Sequence, residues 1–391
     1  MMIAFQLIFW ICLSLVFYSY VLFPVILNLL AGKRKIDASS FSKENLPMVS
    51  VLLAAYNEEK VIGDKISSVL KSKYPTNKLE ILVGSDASTD TTNAVLQELE
   101  KNTSSIKLFL YEERKGKPRI INQLAKEARG EILVITDANV MLETNTLYEL
   151  IKYFKEERTG LVDSRMINTG IKKEGISRQE KFYISREVLI KHNESVLWGS
   201  MMGPFGGCYA LRKSLYRPVP DHFLVDDFFI NMVVLKLGAN CISNMQAKVY
   251  EDVSNIPREE YRRKKRISAG NFQNLAMFRS MLFRGKRGVG FCFFSHKIIR
   301  WIVPFLAIIT LATSIVIGLS VKLYLILALI QILVIVAPLI EYILRKIKIQ
   351  SIPLRFITHF VLMNMALLAG FFRYIGGIKN NVWQPTSRNQ D

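Results

Sequence analysis

"EILVITDANVML", residues 131–142, is the stretch on which the fold turns. Ile132 to Ile135 form an unbroken apolar run, the pattern of a strand covered on both faces. It gives way at once to Thr136, Asp137, Ala138 and Asn139. Asp and Asn at a strand end serve simple turns, because both bond to nearby backbone and tolerate unusual dihedrals. They equally suit a ligand seat, since open α/β sheets bind ligands beyond the carboxyl ends of their strands. Position alone leaves both readings open.

The segments before it repeat the pattern. "MVSVLLAAYN" (48–57) reads as a strand and Lys60–Ser72 as a helix; "LEILVGSDAS" (79–88) reads as a second strand and Asp90–Lys101 as a helix. "IKLFLYEE" (106–113) is a third strand, and Lys117–Ala128 a helix leading into 131–139. Alternation at this spacing predicts a βαβ arrangement with a mostly parallel sheet. Three strands then end in polar tips on one edge: Tyr56, Asn57 and Glu58; Asp86; and Asp137 with Asn139. The basic "RKGK" at Arg114–Lys117 opens a helix, where cations and free N–H groups favour an anion such as phosphate. A nucleotide suits this edge, with Tyr56 stacking on the base, Asp86 accepting from it and Asp137 holding a divalent cation. Neither GxGxxG nor GxxxxGK[ST] occurs at these tips, which excludes the dinucleotide and P-loop readings.

Composition adds a membrane. The chain has 391 residues, 52 Lys plus Arg against 33 Asp plus Glu, and half its residues are hydrophobic. Ile3 to Leu30 carries no charge and is followed by Lys33, Arg34 and Lys35, so residues 3–31 read as an uncleaved anchor with a cytoplasmic basic flank. Two further helices are expected near 301–320 and 323–344, the second ending in Arg345, Lys346 and Lys348. The stretch 354–375 contains Arg355, His359 and Arg373, and reads as interfacial or spanning. The organisation expected is therefore an anchor (3–31), a cytoplasmic α/β domain (46–280), an interfacial segment (281–300), a membrane region (301–375) and a polar tail (376–391). Such a chain is a multi-pass protein of the inner or plasma membrane. Four scattered cysteines and four histidines show no metal or disulfide spacing. Pro257–Trp301 holds twelve Lys or Arg against two Glu, a charge read as facing lipid headgroups rather than nucleic acid.

Five motifs carry a resemblance. "AAYNEE" (54–59), "SDASTD" (85–90), "GKPRIINQLAKEARGEILVITDAN" (116–139), "GPFGGCYALRKSLY" (203–216) and "LVDDFF" (224–229) occur in order. Together they resemble the family 2 glycosyltransferases, and the flanking apolar segments narrow this to the membrane-embedded branch with the cellulose, hyaluronan and poly-N-acetylglucosamine synthases. The resemblance implies a GT-A fold and inverting transfer of a sugar from a nucleotide diphosphate, usually UDP, to a glycan or lipid-linked acceptor, with partners in polysaccharide assembly. It places Tyr56, Glu58 and Asp86 at the uridine and Lys117 toward the phosphates. Asp137 matches the first acid of the metal motif, and Asn139 stands where the second acid usually lies, for Mg2+ or Mn2+. Asp227 matches the general base, with Asp226 beside it; N-capping is the other reading of this pair. Gly206 and Gly207 would lie against the acceptor, although a plain turn serves them equally.

The chain departs from the branch at "RKKRI" (263–267), where polysaccharide synthases carry Gln-x-x-Arg-Trp. Arg266 is kept and expected at the diphosphate; Arg263 replaces Gln and Ile267 replaces the Trp on which the acceptor sugar stacks. The tail "VWQPTSR" (382–388) resembles a loop that closes over the site, which would bring Trp383 and Arg388 to the donor. A frayed terminus is its other reading. The alternative to an enzyme is a non-catalytic nucleotide-sugar-binding scaffold in an assembly complex.

Overall fold

The computed structural model describes residues 1–36, 41–42, 45–170, 177–252, 256–284 and 288–378. Strands β1 (Val49–Ala55), β2 (Leu79–Asp86), β3 (Ile106–Tyr111) and β4 (Ile132–Asp137) form the parallel half of an eight-stranded sheet. Helix α1 (Met2–Ala31) precedes them, and α2 (Ile62–Leu70), α3 (Thr92–Asn102) and α4 (Lys117–Glu127) connect them. Each strand and helix expected from the sequence here is present within a few residues.

The second half of the sheet is mixed. β5 (Val140–Leu142) and α5 (Thr146–Ile151) lead to β6 (Thr159–Thr169), α6 (Ser177–Trp198) and β7 (Cys208–Arg212). Then come α7 (Asp226–Lys236), β8 (Asn240–Asp252) and α8 (Pro257–Phe278). The strand order is β3-β2-β1-β4-β7-β6-β8-β5, with β7 antiparallel to β4 and β6, and β5 antiparallel to β8.

Alternation within the strands explains the rigidity of this scaffold. Val49, Val51, Leu53, Ile81, Val83 and Val134 bury against one helical layer, and Leu52, Leu82, Leu133 and Ile135 against the other. Each such side chain contributes about 1.5–3 kcal/mol on burial. The strand tips are held in place accordingly. Register places Ala54 opposite both Gly84 and Asp137, so β1, β2 and β4 present their carboxyl ends together.

Four helices are long and apolar enough to cross a membrane: α1, α9 (Val289–Gly318), α10 (Lys322–Lys346) and α11 (Ile352–Ile375). The helix expected near 301–320 thus begins at Val289, so that residues 289–300 of the segment expected to be interfacial form its first turns. Phe293 and His296 there are buried against the α/β domain, and Ser295 against α1, where Ser19 Oγ donates to its carbonyl at 2.9 Å. Helix α11 is laid along α8: Ser268 Oγ donates to Leu367 O at 2.7 Å, and Phe272 packs on Phe371 and Tyr374. Gly370 permits the approach, because a Cβ there would stand 2.3 Å from that of Ser268. Trp383 and Arg388 lie outside the described residues.

Candidate active site

The tips of β1 and β2 are tied together before any ligand is considered. Asn57 adopts a left-handed φ of 54° and its Oδ1 accepts from Thr89 N at 2.8 Å; its own N–H donates to Ser88 Oγ at 3.2 Å. Glu58 N donates to Thr92 Oγ1 at 2.9 Å. Asp86, fully buried, accepts from Arg114 Nε at 3.1 Å, Lys115 N at 2.5 Å and Gly116 N at 3.0 Å. Its carboxylate therefore holds the basic loop in place, and the Arg114 guanidinium lies 3.2 Å from the Tyr56 ring centroid. Tyr56, Asp86 and Arg114 form one layered unit at this edge.

The turn after β4 is clamped from beneath. Lys65 of α2, fully buried, donates from Nζ to Thr136 Oγ1 at 2.8 Å and to Val140 O, spanning both ends of the TDAN turn. Burial pulls its pKa down to about 8. Asp137 N and Thr136 Oγ1 both donate to Gly207 O, at 2.9 Å each, which joins this turn to the GPFGG loop. That loop has its own support: the buried pair Lys191–Asp163 (2.8 Å) sets Lys191 Nζ 3.3 Å from the Phe205 ring centroid.

Three carboxylates and one ammonium meet above these loops. Lys117 Nζ lies 2.6 Å from Asp137 Oδ1 and 3.9 Å from Asp226 Oδ2. Burial works against its charge, but Asp137, Asp226 and Asp227 hold its pKa above the usual lysine value. Asp227 stands in the first turn of α7, whose N-cap is Val225, and Phe228 N donates to its Oδ1 at 2.7 Å. Burial and the neighbouring Asp226 push its carboxyl up to about 7, against the opposing pull of Lys117. Asp226 Oδ2 is buried and has no hydrogen-bond partner among the described residues, an orphan that a ligand would satisfy. Gly206 is required where it stands: its φ is +81°, and a Cβ would meet Asp227 Oδ2 at 2.5 Å.

A cavity of about 1020 Å³ contains this cluster. Glu58, Lys117, Asp137, Asn139, Gly206, Gly207, Asp226, Asp227, Arg263 and Arg266 all line it, whereas Tyr56 and Asp86 stand behind the lining. Arg266 Nη1 donates to Leu224 O at 2.9 Å, bracing the chain just before the two aspartates. Arg263 is turned elsewhere, toward Glu260 at 2.9 Å and Glu180 at 3.8 Å. Asn139 donates from Nδ2 to Glu251 Oε1 at 3.2 Å, which leaves its oxygen as the end able to face a cation.

Among the described residues no three His, Cys, Asp or Glu side chains are grouped to hold a metal by themselves. The donor set nevertheless suits Mg2+ or Mn2+ brought in with phosphates, because such ions take one or two protein carboxylates and complete their shell from substrate oxygens and water. Asp137 opens into the cavity with its side chain 34% exposed, a carboxylate of the kind such an ion would take.

Several participants were not anticipated from the sequence. Lys65, Glu251 and the Asp163–Lys191 pair act across separations of 28 to 112 residues, and no local pattern marks them.

Comparison with known proteins agrees with this geometry. Residues 50–219 match the description "Glycosyl transferase family 2". A β-monoglucosyldiacylglycerol synthase from Nostoc sp. is 28% identical over 157 residues, covering 40% of this chain and 34% of that protein. A poly-β-1,6-N-acetyl-D-glucosamine synthase from Staphylococcus aureus is 33% identical over 114 residues, covering 29% and 27%. The chain thus spans about a third or less of the length of these relatives. A mannosyltransferase from Pyrobaculum calidifontis, solved in complex with GDP-Man and Mn2+, superposes with a TM-score of 0.70 at 19% identity, covering 94% of this chain and 99% of that one. The strand tips and the basic loop therefore lie within a stretch, residues 50–219, that matches a family 2 glycosyl transferase domain, and the chain carries it on a GT-A fold.

Proposed function

We propose that the protein transfers a sugar, with inversion, from a nucleotide diphosphate sugar to an acceptor hydroxyl at the cytoplasmic face of the membrane. The observation that carries this reading is the convergence of Asp137, Asp226 and Asp227 around Lys117 at the carboxyl ends of the parallel strands. Asp227 accepts the proton as the acceptor oxygen attacks the anomeric carbon. The bond from that carbon to the diphosphate oxygen breaks, and the nucleoside diphosphate leaves with the electron pair. A carboxyl near 7 is well placed to take a proton at neutral pH.

Lys117 and Arg266 face the departing diphosphate. A divalent cation held by Asp137, with the Asn139 oxygen beside it, would supply further neutralisation of that charge. The Tyr56–Arg114–Asp86 unit supports a uridine seat: the ring and guanidinium offer stacking surfaces, and the carboxylate fixes the loop that leads to Lys117. We assign α11 to the membrane surface, because its contacts with α8 run along the catalytic domain rather than away from it. The lysines and arginines after α1 and at the end of α10 support a cytoplasmic domain. The relatives named as synthases of a glycolipid and of a polysaccharide support reading the acceptor as a glycan or a lipid-linked molecule, in cell-surface assembly.

The test is a donor panel. Protein in nanodiscs with Mg2+ or Mn2+ is given UDP- and GDP-sugars, and released nucleoside diphosphate is measured. Release from a UDP-sugar is expected; absence of release from every donor, with binding retained, would return the protein to a scaffold.

A further inference from the structure

The cavity does not end at the acids. At its other end it is lined by Tyr20 of α1, Phe182 and Arg186 of α6, and Phe356, Phe360 and Met363 of α11. Phe182, Phe356 and Phe360 line the cavity and are also 54%, 37% and 40% exposed, so they form its mouth. Edge-to-face pairs frame that mouth, Phe182 with Phe356 and Tyr20 with Phe360. Two of the three helices that meet there, α1 and α11, are apolar enough to cross a membrane, and α6 turns Phe182 toward them from between its charged residues. A mouth of aromatic and thioether side chains between such helices opens toward acyl chains, not toward water.

Two further observations narrow the occupant. Ile267 lines the cavity with an aliphatic side chain, which offers no flat face on which a sugar ring could stack. Charge at the membrane end is also unbalanced. Arg186 donates to Tyr20 O and makes no ion pair among the described residues, while Lys297 and Arg300 share Glu187, and Glu194 bonds to His296, so three cations stand against two acids. Surplus positive charge beside an apolar mouth is complementary to a phosphate carried on a lipid.

We propose that the acceptor is an anionic phospholipid with a free headgroup hydroxyl, which enters sideways between α1, α6 and α11 and presents that hydroxyl to Asp227. This rests on the transferase reading above. The lipid O–H loses its proton to the Asp227 carboxylate, the lipid oxygen bonds to the anomeric carbon, and the nucleoside diphosphate departs. The acyl chains stay in the bilayer, and the phosphate sits against Arg186, Lys297 and Arg300.

The experiment supplies nanodisc-embedded protein with a radiolabelled UDP-sugar and three acceptors in parallel: phosphatidylglycerol, diacylglycerol and a water-soluble oligosaccharide. Label extractable into organic solvent with phosphatidylglycerol, at least about tenfold above diacylglycerol, is the expected result. Met363→Trp, which narrows the mouth, is expected to raise the KM for the lipid about tenfold with kcat changed far less. Nucleoside diphosphate release with label only on the oligosaccharide, or equal labelling of diacylglycerol, would overturn this proposal and leave the transferase reading standing. No release from any donor would overturn both.

Discussion

The acidic end of the cavity and its membrane end are built by opposite means. At the acidic end, loops at the tips of a rigid sheet carry Asp137, Asp226, Asp227 and Lys117, and the charges are left partly unanswered, as the orphaned Asp226 oxygen shows. At the membrane end, whole helices carry the charges, and several basic groups share one acid. His296 lies 2.9 Å from Glu187 and 2.8 Å from Glu194, Lys297 lies 3.2 Å from Glu187, and Arg300 pairs with Glu187 as well. Glu187 is consequently held well below the ordinary carboxylate range, although burial alone would raise it. A further pair, His359 with Glu180 at 3.1 Å, joins α11 to α6. Incomplete pairing marks the end where a ligand must complete the electrostatics. Ion pairs that bridge α6 to α9 and α11 mark the end that fastens the domain to its helices, with Arg186 left outside them.

This contrast can be broken by substitution. Asp137→Ala removes the carboxylate that faces Lys117 and the cation seat, and is expected to lower transfer about 10³-fold with little change in thermal stability. A stability loss as large as the activity loss would mean that Asp137 is structural after all. Glu187→Gln at the other end should do the reverse. It leaves His296, Lys297 and Arg300 without their shared acid, and about 3–5 kcal/mol of stability should be lost, read as a fall in the thermal midpoint in nanodiscs. An unchanged midpoint would remove the fastening role.

Gly206→Ala tests how closely the GPFGG loop and Asp227 are fitted. A methyl group 2.5 Å from the carboxylate, at a φ of +81°, must displace one or the other, and a drop of about 10²-fold in kcat is expected with the fold retained. Wild-type kinetics for that variant would place Asp227 away from the reacting atoms. The pH profile is the gentlest probe. Because the Asp227 carboxyl is raised to about 7, it is protonated below that pH and cannot accept a proton. The value of kcat/KM should therefore fall about tenfold per pH unit below 7 and level off above it. A profile flat from pH 5 to 8 would contradict the assignment.

The two ends also differ in how far they could be read from sequence. The parallel half of the sheet follows from runs such as Ile132–Ile135, whose composition and spacing are local signals, and the polar tips follow with it. Lys117 beside Asp137 was within reach because twenty residues separate them inside one βα unit. The pairing of Asp226 and Asp227 with those residues required a match to motifs, since nothing local places α7 over β4. The membrane end was out of reach. Glu187 and His296 are 109 residues apart, and each alone reads as a solvated charge on a helix. The early start of α9 at Val289 was hidden for the same reason: Phe293 and His296 bury against the domain rather than in lipid, so hydropathy marks only the later part.

The most direct test of the central claim is the turnover of Asp227→Asn against wild type, at saturating UDP-sugar and acceptor, with donor affinity measured on the same preparation. The amide keeps the size of the side chain and removes its capacity to take a proton. Donor affinity within about twofold of wild type, with turnover lowered about 10²- to 10⁴-fold, is the predicted result. Turnover equal to wild type would contradict the assignment of Asp227 as the base and, with it, this account of the acidic end.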